Sequence, residues 1–342
     1  MQDVYVPRNR VVYTDPGGRG WAPVELMARL LAHTLDAEYV SLRTRPRADR
    51  VRRTAGQLPP ARLRGGTCIV IAPQPAHLGS LLTPRYLMGG YTSVVEEAVD
   101  DRIPRMAKGR GHFDHLFVTD RELVDTWAEQ TGTTTSWLPF GSNVLDQPEM
   151  PAERPVDLLR IGRQPPEWDK NDTTQDAAAA RGLTFAMAPP LHDDPAFNQA
   201  RVQSSMRGAK FTLSFTNLVS PADYTHASRD YVTGRWTEAL ASGAAVAGVP
   251  PRCEAGQRVL FDDGLVRLPG TDLGAGLDVV AEAAAAWTPS RADRVHLQAL
   301  QTLDWRLRFA ELAKTIDLSI PRLDDELSRL QARASTLASR SP

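Results

Sequence analysis

Cysteine is nearly absent from this 342-residue chain. Cys68 and Cys253 lie in opposite halves with no CxxC pair and no Cys/His cluster, which excludes a disulfide framework and a structural zinc site. Net charge is nearly absent as well. The 40 Lys and Arg face 41 Asp and Glu for a formal charge of -1, so no whole-chain field holds nucleic acid or anionic membrane by counterion release. No apolar run approaches the roughly eighteen residues of a membrane span, and the first ten residues hold no apolar h-region. A cytoplasmic protein in a reduced compartment is therefore expected. What is present is ordinary: 42% hydrophobic and 24% charged residues, a composition that excludes disordered, collagen-like and coiled-coil chains. Single cores stop growing near ~250 residues, so two domains are expected.

Short apolar runs alternate with amphipathic stretches, the pattern of parallel sheets covered by helices. Val11 to Thr14 reads as a strand, followed by a glycine loop (Gly17, Gly18, Gly20) and a helix with Leu26, Met27, Leu30, Leu31 and Leu35 at helical spacing. Pro23 stands in its first turn, where a missing N–H costs nothing. Tyr39 to Leu42, Cys68 to Ala72 and His115 to Val118 read as further strands, and Arg121 to Gln130 as a helix. Asn143 to Arg154, with two prolines and no periodicity, reads as a crossover. The pattern restarts with a strand entering a loop over Val156 to Gly162 and strands at Leu183 to Met187, Lys210 to Phe215 and Ala244 to Gly248, the last preceded by a helix from Gly234 to Ser242. Beyond Pro289 the chain reads as helical, ending in an amphipathic helix from Asp317 to Leu337.

The chemistry concentrates in Ser228 to Gly248. Asp230 and Glu238 are separated by seven residues, with a Thr-Gly helix start between them. Free N–H groups at Thr233, Gly234 and Arg235 would form a phosphate seat, and Arg235 adds charge. One turn further in, the Glu238 carboxylate can accept hydrogen bonds from both vicinal hydroxyls of a ribose. Spacing alone equally allows Glu238 to pair with a basic side chain on a solvated helix face.

The stretch Asp230-x7-Glu238-Ala-Leu-Ala-Ser-Gly243-Ala-Ala-Val246 resembles the hallmark of group 1 glycosyltransferases with two Rossmann-like domains, the GT-B architecture, with Asp in place of the usual first Glu. Val156-Asp-Leu-Leu-Arg-Ile-Gly162-Arg163, followed by Lys170, resembles the strand that opens their second domain. Trp137-Leu-Pro-Phe-Gly141 resembles their entrance to the crossover, and Asp304-Trp305-Arg-Leu-Arg308 an Asp-Trp-x-x-Arg element. The resemblance runs from Phe113 to Arg308. It implies an N-terminal acceptor-binding domain over 1–148, a nucleotide-sugar-binding domain over 149–315, and a C-terminal helix and frayed tail over 316–342, the domains facing a central cleft. By the same resemblance, Glu238 binds the nucleotide ribose and Asp230 contacts the donor sugar. Arg163 and Lys170 neutralise the diphosphate, Arg163 bidentately and Lys170 as a point charge.

The loop Gly17-Gly18-Arg19-Gly20 fails as a dinucleotide fingerprint, because Pro23 stands where the third glycine belongs and Ser41 to Thr44 holds no acid for a ribose. In the GT-B reading the backbone at Gly18 approaches the donor phosphate or the acceptor and Arg19 clamps it; a plain tight turn is the alternative. His77, after the Cys68 to Ala72 strand, is the candidate general base for an inverting reaction, with His226 beside it in rank. His112 and His115 flank Asp114 without a third metal ligand.

The expected function is transfer of a sugar from a nucleotide-diphosphate donor, with retention. No Asp-x-Asp is present, so no metal and no cofactor beyond the donor are expected. A nucleotide-sugar epimerase, a sugar phosphorylase and a non-catalytic sugar-nucleotide-binding module are the alternatives. The acceptor, whether glycan, natural product, protein or modified nucleobase, is not encoded in any recognisable motif. A nucleic-acid acceptor would need the arginines from Arg43 to Arg64, which solvated helix faces explain equally well.

Overall fold

The computed structural model describes residues 9–17, 20–43, 67–73, 90–95, 113–221 and 225–340. His77, Gly18, Arg19, His112 and the arginines Arg45, Arg47, Arg50, Arg52, Arg53, Arg62 and Arg64 lie outside them. The chain divides into two compact units, one of residues 1–139 and 308–326, the other of residues 140–307 and 327–342. Each is an α/β unit with a parallel sheet.

In the first unit, strands β1 (Arg10–Asp15), β2 (Glu38–Arg43), β3 (Thr67–Ala72), β4 (Gly90–Val95), β5 (His115–Val118) and β6 (Thr135–Trp137) form one sheet in the order β2-β1-β3-β4-β5-β6. Val11 pairs with both Tyr39 and Ile69, so β1 lies in the sheet interior, and Val11 and Val12 are fully buried. Helix α1 (Ala22–Leu35) packs its stripe of Val24, Met27, Ala28, Leu31 and Leu35 inward, while Leu26 is exposed. Strand β4, Gly-Tyr-Thr-Ser-Val-Val, escapes the sequence pattern because Thr and Ser break its apolar run. A second helix, α2 (Val124–Thr131), follows a single 3-10 turn and buries Trp127 completely. The returning segment fastens to the end of α1: Arg322 donates to Asp36 at 2.7 Å, and its backbone N–H to the Thr34 carbonyl at 3.1 Å.

In the second unit the elements run β7 (Val156–Arg160), α3 (Asn171–Ala179), β8 (Phe185–Met187), α4 (Pro195–Arg207), β9 (Ala209–Leu213), α5 (Gly234–Ala241), β10 (Ala245–Gly248), α6 (Glu254–Val259), β11 (Leu265–Arg267), α7 (Leu273–Ala285) and α8 (Pro289–Thr302). The sheet order is β11-β10-β9-β7-β8. The chain moves outward from β7 to β8, then returns to the other side of β7 to lay down β9. That reversal opens a crevice beyond the carboxyl ends of β7 and β9, where open parallel sheets collect their ligands. The core beneath is Leu158, Phe211, Leu213, Phe215, Ala245 and Leu277 around Trp168, whose indole N–H reaches the Thr271 carbonyl at 2.9 Å.

Two helices follow, α9 (Trp305–Ile316) and α10 (Leu323–Arg340). The last starts six residues later than the expected Asp317. Asp317 takes a left-handed φ of 52° that closes α9, with the Leu318 N–H returning to the Ala313 carbonyl at 2.9 Å.

Candidate functional site

The elements around the β7/β9 reversal place the motif residues. Helix α5 begins at Gly234 with Thr233 as its extended N-cap (φ -99°, ψ 161°). Threonine at this position ordinarily caps the helix with its own oxygen. Here it makes no such bond, and its Oγ1 is buried without a hydrogen-bond partner. The first turn of α5 therefore presents orphan N–H groups and an unused hydroxyl together. Gly234 lies close under a neighbour: a Cβ there would come within 3.3 Å of the Phe140 ring, which would have to shift slightly.

Arg235 turns back to the loop after β7. Its guanidinium donates to the carbonyls of Ile161 at 3.2 Å and Arg163 at 2.7 Å. Gly162 between them has φ 71°, and a Cβ there would lie 3.0 Å from Arg235 Cδ. The Gly-Arg turn and the start of α5 are thus locked to each other, with Arg163 half-buried on that turn. Lys170 is exposed at the N-cap of α3, and its ammonium makes no hydrogen bond or ion pair among the described residues. The loop carrying it is pinned on one side by buried Trp168 and on the other by Arg160, which bonds Asp169 and Asn171.

Glu238 sits one turn into α5 and is only 8% exposed. No cation pairs with it among the described residues. Its one partner is Gln199 of α4, whose side-chain N–H donates to Oε1. Burial pushes the carboxyl up from the usual carboxylate range to about 7, with the Gln199 bond opposing the shift. The alternative of a solvated, salt-bridged Glu238 does not hold: the helix turns this residue inward with Trp236, Ala239 and Leu240. Asp230 bridges two loops, accepting from Thr216 Oγ1 after β9 and from the Arg252 N–H at 2.8 Å after β10. His226 accepts the backbone N–H of Arg229 at 2.9 Å, within the loop before α5.

The far end of α5 is closed by other means. Gly243 takes φ 67°. Arg154 donates to the carbonyls of Ser242 at 2.9 Å and Ala209 at 2.7 Å, and also to that of Met206. His296 of α8 donates from Nδ1 to the Ala241 carbonyl at 2.8 Å. The crossover is fixed by a buried carboxylate: Asp304 accepts from the N–H groups of Val144 (2.9 Å), Leu145 (2.8 Å) and Arg306 (2.9 Å). The buried cation of Asp304-Trp-Arg-Leu-Arg308 in this pairing is Arg306, which also reaches Asn143 and Asp146. Arg308 pairs locally with Glu311 at 2.6 Å.

The structure therefore brings Arg163, Thr233, Gly234, Arg235 and Glu238 to one end of the sheet, with Asp230 bracing the same loops. Gln199 and Thr216 were invisible to sequence reasoning, since neither stands in a recognisable motif. In the first unit, Gly17 ends β1 with its N–H on Asp15 at 2.8 Å and φ 74°. Among the described residues no three His, Cys, Asp or Glu converge as a metal site, and no helix is long and apolar enough to cross a membrane.

No family model matches the sequence, and no curated protein resembles it. Solved structures do. AviGT4, a glycosyltransferase involved in avilamycin A biosynthesis, matches with a TM-score of 0.50 at 14% identity, over 96% of this chain and 99% of that one. WaaB, a lipopolysaccharide outer core galactosyltransferase, gives 0.47 at 11% identity over 90% and 99%. TarM of S. aureus gives 0.46 at 9% identity over 72% of this chain, which spans 55% of TarM. The chain has the GT-B fold, built of two Rossmann-like units. At such identities the likeness is one of fold.

Proposed function

We propose that this chain is a glycosyltransferase that moves a sugar from a nucleotide-diphosphate donor to an acceptor, with retention and without an obligatory metal or further cofactor. The observation that carries the reading is Glu238: a buried carboxylate that no cation pairs among the described residues, one turn inside an uncapped helix, beside the reversal of a parallel sheet. A buried acid of this kind is costly to the fold and is compensated when a ligand supplies hydrogen-bond donors. The vicinal hydroxyls of a ribose supply two.

The other residues follow from that placement. The diphosphate lies against the N–H groups of Gly234 and Arg235 and the Thr233 hydroxyl, with Arg163 and Lys170 neutralising its charge. In the transfer the anomeric C–O bond to the diphosphate breaks while a bond to the acceptor nucleophile forms on the same face. The acceptor proton passes to the departing phosphate oxygen, so no strong side-chain base is obligatory. Asp230 contacts the sugar through the second lone pairs of oxygens it shares with Thr216 and Arg252. Residues 1–148 bind the acceptor. The absence of Asp-x-Asp from the sequence supports metal independence.

The test is incubation of the full chain with a panel of nucleotide sugars, read by mass spectrometry for hydrolysis and transfer. Release of free sugar and nucleoside diphosphate from one donor is the expected result. An altered nucleotide sugar without released diphosphate would identify an epimerase instead, and binding without turnover, even with acceptor extracts supplied, a non-catalytic module.

A further inference from the structure

A cavity of about 280 Å³ opens in the second unit between the crossover near Glu149, helix α8 and the last turns of α10. Three polar side chains line it with hydrogen-bonding capacity unused among the described residues. His296 is 1% exposed, and with Nδ1 committed to the Ala241 carbonyl its Nε2 is a buried acceptor with no hydrogen bond. Burial holds this imidazole neutral, down at about 4, with the nearby charge of Arg333 acting in the same direction. Arg333 is half-buried and Asp293 likewise, and neither side chain makes an ion pair or hydrogen bond among the described residues, though the charge of buried Arg154 bears on Asp293. The remaining charges on the rim, Glu149 and Arg340, face each other at 3.6 Å.

The cavity thus holds a guanidinium and a carboxylate that make no ion pair among the described residues, and one buried lone pair that needs a donor. A simple anion would meet Arg333 and leave Asp293 and Nε2 unserved. A simple cation would do the reverse. We propose that this cavity binds a small zwitterion, a free α-amino acid, with its carboxylate on Arg333 and its ammonium on Asp293 and His296 Nε2. The site is distinct from the proposed donor site. It is joined to it only through α5, whose last carbonyls His296 and Arg154 hold.

The experiment is isothermal titration of the full chain with glycine, L-serine, L-glutamate and L-lysine, and with acetate, methylamine and inorganic phosphate for comparison. Saturable binding of at least one amino acid, with none of the three comparison ions matching it, is expected. Arg333→Met and Asp293→Asn should each weaken it by about tenfold or more, the loss of one charge-assisted contact. Arg340→Met, which removes a rim charge already paired, should leave it within about twofold. Unchanged circular dichroism of the free variants separates lost contacts from lost folding. In a ¹⁵N-histidine spectrum the His296 Nε2 signal should shift with the ligand. The proposal is overturned if no amino acid binds up to about 10 mM, if phosphate or acetate binds as well, or if binding survives both Arg333→Met and Asp293→Asn. None of these outcomes depends on glycosyl transfer.

Discussion

The two ends of helix α5 are finished in opposite ways. At its carboxyl end every device that closes a helix is in use: a left-handed glycine at Gly243, the Arg154 guanidinium on the Ser242 carbonyl, and the His296 imidazole on the Ala241 carbonyl. At its amino end the N-cap threonine makes no cap, its hydroxyl is buried and unused, and a carboxylate without a cation follows one turn later. The backbone carbonyls at one end are closed by side chains, while the backbone N–H groups at the other are left open. Stability is concentrated where the helix meets its own unit, and unmet hydrogen-bonding capacity where a ligand is proposed to sit.

Substitutions at the two ends should therefore separate activity from stability. The largest effect is expected at Glu238. If Glu238 holds the ribose as proposed, replacing it with Ala removes two charge-assisted hydrogen bonds, each worth about 1.5–3 kcal/mol. Donor turnover should fall by two orders of magnitude or more, as read from initial rates of donor hydrolysis. Unchanged turnover would sink the site assignment. The opposite end should respond in the opposite currency. Arg154→Met leaves the carbonyls of Ser242, Ala209 and Met206 without their donor. It should cost about 3 kcal/mol of unfolding free energy in urea, while the donor KM of the folded fraction stays within about twofold. A large KM change with little loss of stability would erase the distinction between the ends.

The two ends also titrate in opposite senses. Glu238 has its folded-state value raised to about 7, so between pH 7 and 4.5 the folded chain takes up a proton before the unfolded chain does, and acidification stabilises it. His296 has its value lowered to about 4, so between pH 6.5 and 4 the unfolded chain takes up the proton first, and acidification destabilises the fold. Over their shared window the contributions oppose each other. Glu238→Gln removes one of them, so this variant should lose on the order of 2 kcal/mol more stability than the unmodified chain on going from pH 7 to 4.5. At pH 8 it should be the more stable of the two. Urea unfolding at stepped pH checks this, and parallel curves for the two proteins would refute it.

The sequence made different parts of this helix and its surroundings legible for physical reasons. Strands β3 and β10 announce themselves because both faces are buried and their runs are nearly all apolar. Strand β11 has three residues, too few to show a period, and β4 interrupts its apolar run with Thr and Ser. Glu238 and the Gly-Arg turn were visible because both stand in stretches that resemble a family's motifs, spacing alone leaving Glu238 open. Gln199 was not: α4 reads as a polar helix of low amphipathicity, and the bond to Glu238 joins positions 39 residues apart. The Asp304 hub is further removed, its backbone partners lying about 160 residues earlier in the chain. Local pattern reports what a segment buries, and only the fold reports what it meets.

The smallest effect probes the open end most selectively. Thr233 Oγ1 is buried without a partner, so Thr233→Val, close to isosteric, removes an unsatisfied polar atom and should leave stability unchanged or raise it by up to about 1 kcal/mol. If the hydroxyl donates to a donor phosphate, the same substitution removes one charge-assisted hydrogen bond, and the donor KM should rise roughly five- to tenfold while kcat changes less. Opposite signs in stability and binding from a single methyl-for-hydroxyl exchange would mark an atom kept for a ligand. A loss of stability with unchanged KM would mean that Thr233 serves the fold after all, and the contrast between the two ends of α5 would reduce to the carboxylate of Glu238 alone.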